Sequence, residues 1–124
     1  VEDETDIVVL TEGIFDAISL TRKLDLYDDH SIVPIATFGK KISDTQMLKL
    51  QDKGVRTVVI GYDSDATESI NKAAQMLSDY FDVFIAKIDS DGKDWDEMSY
   101  KDIYHTFAYN LMTPVEFKLQ TVQV

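Results

Sequence analysis

Glu12, Asp63 and Asp65 stand where two apolar runs break off, Ile7-Val8-Val9-Leu10-Thr11 and Val58-Val59-Ile60-Gly61-Tyr62. A short apolar run bounded by polar or turn residues is the pattern of a strand buried on both faces. The carboxylates therefore belong at the ends of two buried strands. In open parallel sheets that edge is where ligands bind, because the departing loops open a crevice there. The three acids are expected to face one another across about two strand spacings, roughly 5–10 Å. Carboxylates held that close in apolar surroundings repel and raise one another's pKa unless a positive group sits among them. A hard divalent cation that prefers oxygen ligands is the group this chemistry asks for.

The elements that must position these acids follow from the pattern of the chain. After the acidic stretch Val1–Thr5 comes a first strand, Ile7–Thr11, and a helix to about Leu24 with Ile14, Ala17, Ile18 and Leu24 at helical spacing. Gly13 is expected to supply the tight turn between them. Ser31–Ala36 is a second strand, which Pro34 assigns to a sheet edge. Ser43 and Gln46 form a capping-box pattern ahead of a helix that Gly54 stops. Val55–Gly61 is the third strand. Asp65 with Glu68 marks another helix start, and Ile70, Ala73, Ala74, Leu77 and Tyr80 give that helix its apolar face. Val83–Ile88 is the fourth strand, and Ser99 opens a last helix to about Leu111. Val115, Phe117 and Leu119 alternate with polar residues, a strand period. Strand alternating with helix four times predicts an α/β domain, a four-stranded parallel Rossmann-like sheet with helices on both faces. It spans residues 1–112, with 113–124 as a tail or the start of a neighbouring element.

Composition narrows the function classes. The chain has 124 residues, 44% hydrophobic and 28% charged, which suits one globular domain. It has no cysteine, so disulfides and thiolate metal sites are excluded. No apolar run approaches a membrane span, and a cytoplasmic location is expected. The net charge of −11 is the opposite of what direct phosphate binding requires. Nucleic acid would have to be held through metal ions, a few local lysines or other domains. The start at Val1 and the apolar-rich end read as a piece of a larger protein.

The ordered set Thr11-Glu12-Gly13-Ile14-Phe15-Asp16, Gly39 in the loop after the second strand, and Tyr62-Asp63-Ser64-Asp65-Ala66 resembles the TOPRIM domain. That domain is shared by bacterial-type DNA primases, type IA and type II topoisomerases, overcoming-lysogenization-defect nucleases and RecR-like proteins. Gly92-Lys93-Asp94-Trp95-Asp96-Glu97 is similar to the Gly-Lys-Asp-Pro-Asp-Glu segment of primases. The resemblance covers residues 6 to 110 and implies a TOPRIM fold. It also implies that Glu12 is a general acid or base, that Asp63 and Asp65 bind Mg²⁺, and that Asp16, Asp94 and Asp96 are further metal-site acids. Glu12, Asp63 and Asp65 are the candidate catalytic residues. Gly13, Gly39, Lys40 and Lys93 are the candidate substrate-binding positions, with Lys41 beside them.

The implied activity is metal-dependent nucleotidyl transfer in primer synthesis, with nucleotides and a single-stranded DNA template bound through the parent protein and a helicase as a possible partner. A TOPRIM nuclease and a non-catalytic TOPRIM interaction module are the alternatives. A phosphoacceptor receiver domain fits less well, because no lysine stands at a strand end in the required role. Ala66-Thr67 replaces the usual Ala-Gly, and Trp95 replaces the usual proline. Each acid also has a plainer reading as a helix-cap or first-turn charge, or, for Asp94 and Asp96, as part of a solvated acidic loop. Trp95 is expected to anchor that loop by burying its indole. His30 and His105 are expected to be structural or surface residues.

Overall fold

The computed structural model describes residues 5–26, 31–37, 42–62, 66–87 and 95–121. Five βα units follow in order: β1 (Ile7–Thr11) and α1 (Ile14–Lys23), β2 (Ile32–Ala36) and α2 (Asp44–Asp52), β3 (Thr57–Ile60) and α3 (Thr67–Leu77), β4 (Asp82–Ala86) and α4 (Tyr100–Tyr109), β5 (Leu111–Met112) and α5 (Pro114–Thr121). They form one five-stranded sheet in the order β2-β1-β3-β4-β5. The first four strands are parallel, and β5 runs antiparallel to β4 through Ile85 opposite Met112 and Ala86 opposite Leu111. The sheet thus has one strand more than the four expected. A two-residue strand is too short to leave a periodic signal.

Successive side chains along β1 and β3 supply both faces of the sheet, which is why these strands read as continuous apolar runs. Val8, Leu10, Val58 and Ile60 join Met47 of α2, Ile70, Ala74 and Leu77 of α3 and Phe117 of α5 in one core. Val9 and Val59 join Leu20 of α1, Ile103 of α4, Trp95 and Met98 in the other. Helices therefore cover both faces, as expected.

Local signals set most helix ends. Ser43 and Gln46 make the reciprocal capping box at α2, and Gly54, with φ of 93°, ends that helix in the left-handed region that favours glycine. The Ser99 hydroxyl accepts from the Asp102 N–H at 3.2 Å to start α4. Pro34 lies in β2, at the sheet edge.

Three local expectations are corrected. The apolar spacing of α1 points the wrong way in part: Ala17 and Leu20 are buried, whereas Ile14 and Ile18 are about half exposed and Phe15 is 76% exposed. The N-cap of α3 is Ala66, with no side-chain cap, and Thr67 is already the first helical residue. Residues 114–121 are helix α5, not a strand. There the Thr113 hydroxyl accepts from the Glu116 N–H at 3.2 Å, and the Glu116 carboxylate accepts from the Thr113 N–H at 3.1 Å. That is a second capping box, with Pro114 at the first helical position, where proline is tolerated. Helical rather than alternate spacing buries Phe117 completely and leaves Val115 and Leu119 exposed.

Candidate metal centre

The chain leaves β1 toward β2 on one side and reaches β3 on the other, so the strand order reverses between β1 and β3. Ligands of open α/β sheets bind outside the carboxyl ends of the strands at such a reversal. Glu12 follows β1 directly and is half-buried there. Gly61 follows β3, and its N–H donates to the Leu10 carbonyl at 2.7 Å, continuing the ladder past the last paired residues. The strand ends that carry Glu12 and lead toward Asp63 are therefore direct neighbours.

The turn around Glu12 is fixed by hydroxyl groups. The Thr11 hydroxyl donates to the Gly13 carbonyl at 3.0 Å. The Thr37 N–H and hydroxyl, just beyond β2, donate to the Thr11 carbonyl at 2.8 and 3.1 Å. Gly13 is the N-cap of α1 with φ of −113° and ψ of 155°, an extended conformation open to any residue. The chain thus passes from strand to helix here without a left-handed residue. The value of Gly13 is space: among the described residues nothing lies within 4 Å of where a Cβ would sit, and no side chain caps the helix. The open end of α1 presents backbone N–H groups of the kind that favour an anion. Asp16 sits half-buried in the first turn.

Tyr62, the last described residue before Asp63, is a site residue that the sequence reading did not single out. Its side chain is buried, and burial pushes the phenol above its ordinary pKa of 10.0. The Thr37 side chain, within hydrogen-bonding reach, pulls it back, and the negative charge of Glu12 raises it further. Tyr62 and Thr37 thus lie together at the strand ends, within reach of the Glu12 charge.

The far end of the acidic loop is held firmly. Trp95 is fully buried, and its indole N–H donates to the Gly61 carbonyl at 2.7 Å. The indole lies so close that a Cβ on Gly61 would stand 3.2 Å from Nε1, as well as 3.3 Å from the Leu10 carbonyl oxygen. Trp95 is the anchor expected of it. The Asp96 carboxylate accepts from the Ser19 hydroxyl of α1 at 2.6 Å. Lys23 of α1 donates to the carbonyls of Trp95, Asp96 and Met98 at 3.2, 2.6 and 2.8 Å. Ser19 and Lys23 also escaped the sequence reading, because these bonds span more than 70 residues and no local pattern encodes them.

Gly39, Lys40, Lys41, Asp63, Asp65, Lys93 and Asp94 lie outside the described residues. Among the described residues, no three His, Asp or Glu side chains are grouped to hold a metal ion. His105 is exposed and pairs with Asn110 at 3.1 Å. The donor set fits a hard cation in kind: oxygen groups alone, with a half-buried carboxylate at the strand-order reversal. No helix among the described residues is long and apolar enough to cross a membrane.

A family model described as Toprim-like covers residues 9–99, from within β1 to the cap of α4. No curated protein and no solved structure matches the chain.

Proposed function

The chain belongs to the Toprim-like family, a family whose domains typically process nucleic acids with Mg²⁺ held by acidic residues; on that premise we propose that it is the metal-dependent nucleotidyl-transfer domain of a DNA primase. The observation that carries the site is the adjacency of β1 and β3 at the strand-order reversal, which brings Glu12 beside the exit toward Asp63 and Asp65. In this reading Glu12, Asp63 and Asp65 hold Mg²⁺ or Mn²⁺, with Asp16 and Asp94 as further acids. When bound, the cation neutralises charge on the transferring phosphoryl group and lowers the pKa of the attacking oxygen.

The chain's own residues orient and bind. Glu12, in the turn held by the Thr11 and Thr37 bonds, takes or returns a proton at the reacting oxygen. The open end of α1 at Gly13 and the loop residues Gly39, Lys40, Lys41 and Lys93 receive the polyphosphate. Primer synthesis is favoured over the nuclease reading by Gly92-Lys93-Asp94-Trp95-Asp96-Glu97, whose Trp95 packs against Gly61 at the root of the Asp63 segment. The template and a helicase are met through the parent protein, because a net charge of −11 gives this domain little affinity of its own for DNA.

Mg²⁺ and Mn²⁺ should raise the melting temperature of the chain. A ligand that binds only the folded state at a hundredfold excess over its Kd contributes about 2.7 kcal/mol, several degrees for a domain of this size. Replacing both Asp63 and Asp65 with Asn should remove that shift. An equal shift in the double variant overturns the metal site. Metal-dependent cleavage of single-stranded DNA without nucleotide incorporation, in the parent protein, would favour the nuclease.

A further inference from the structure

Resting on that metal-site reading, we propose that Lys23, assisted by Ser19, is a positioning residue that holds the acidic loop against the metal centre. An ammonium group carries three donors and no acceptor. All three bonds of Lys23 go to carbonyls of one turn, those of Trp95, Asp96 and Met98. Charge-assisted bonds of this kind are about twice as strong as neutral ones. The Ser19 hydroxyl, one turn earlier on α1, takes the Asp96 carboxylate at 2.6 Å. The same turn is fastened on its other side by the buried Trp95 indole at Gly61, whose own N–H is bonded to Leu10.

The result is a clamp with two jaws. One jaw is α1, the helix that follows Glu12 and is capped at Gly13; the other is the paired exit of β1 and β3. Asp94 precedes Trp95, the anchored residue, directly in the sequence. The Asp96 carboxylate, bonded to Ser19, serves as a holding contact. Lys23 also places a positive charge at the turn that carries Asp96 and Glu97. Arginine cannot substitute fully, because a planar fork does not converge on three carbonyls as an ammonium does.

Trp95 is the one tryptophan of the chain, so its fluorescence reports the clamp directly. In Lys23→Met, its emission should shift to the red and its quenching by acrylamide should rise, with the far-ultraviolet circular dichroism retained. The Mn²⁺ midpoint, read by electron paramagnetic resonance, should rise about tenfold, the effect typical of losing a partner that orients a ligand. Lys23→Arg should fall between, and Ser19→Ala should show the same two changes in smaller degree should the methionine variant not fold. Unchanged Trp95 quenching in both Lys23→Met and Ser19→Ala overturns the clamp. A loosened Trp95 with an unchanged Mn²⁺ midpoint overturns the positioning role and leaves the bonds purely structural. No Mn²⁺ binding by the unsubstituted chain overturns the metal reading itself, and the positioning role with it.

Discussion

Tyr62 shows how a single side chain records the site around it. Its phenol is kept protonated by burial and by the charge of Glu12, against the pull of Thr37. A group whose folded-state pKa is raised gives stability that is complete below its unfolded pKa and is lost as pH climbs through the folded value. The loss attributable to Tyr62 therefore begins near pH 10.0 and continues above it. In Tyr62→Phe that alkaline decline should flatten, while at neutral pH the variant should lose about 1 kcal/mol with the bond to Thr37. Urea midpoints between neutral pH and the alkaline limit of the fold measure both effects. A decline identical to that of the unsubstituted chain would mean that the phenol is not held in its neutral form. At this scale the sequence was legible where chemistry is local. Glu12 could be placed at a strand end from its own flanks, and Trp95 as an anchor from its lone bulk in an acidic loop. Thr37, Ser19 and Lys23 could not be seen, because each acts on a segment remote in sequence.

Among the elements, α5 is the clearest conflict between two signals written in the same residues. The alternation of Val115, Phe117 and Leu119 argues for a strand, whereas Thr113-Pro114-Val115-Glu116 argues for a helix start. The capping box prevails because it satisfies backbone groups at once, and the alternation needed a pairing partner that β4 gives instead to Leu111 and Met112. Only Phe117 then reaches the core. Thr113→Ala should cost about 1 kcal/mol through loss of the cap, and Phe117→Ala about 3–5 kcal/mol through the cavity left between α5 and the sheet. Equilibrium urea unfolding separates the two. A cost for Phe117→Ala no greater than that of Thr113→Ala would show that α5 is a detachable tail. The face of α1 was misread for a related reason. Helical spacing identifies which residues share a side, but not which side meets the sheet, and Ile14 and Ile18 lie away from it.

For the molecule as a whole, the excess of 23 acidic over 12 basic residues weighs on the folded state. Compact structure brings like charges together, and screening relieves the repulsion once the Debye length falls to about 10 Å near 0.1 M salt. Added NaCl should therefore raise the melting temperature gradually. Mg²⁺ at matched ionic strength should raise it further through a saturable step. The double replacement of Asp63 and Asp65 by Asn should keep the gradual response and lose the saturable one, as calorimetry would show. A melting temperature indifferent to NaCl would mean that the negative charges are already well separated. The parallel α/β layout was legible from the alternation of apolar runs and helical faces. The order β2-β1-β3-β4-β5 was not, because strand order depends on which side of the sheet each crossover falls, a choice that local residue patterns do not encode.

The two borders of that sheet bear on how the chain behaves in a crowd. A strand with one side unpaired is a template on which another extended chain can lay itself, the first step toward aggregation. At one border stands β2, five residues long, with a proline at its centre. Proline has no N–H to offer an incoming backbone, so a growing ladder meets a gap midway along it. At the other border stands β5, only two residues long, which gives an incoming strand almost nothing to grip. The most apolar strands, β1 and β3, are enclosed between neighbours on both sides. A sheet rich in valine and isoleucine is thereby kept from recruiting further copies of itself.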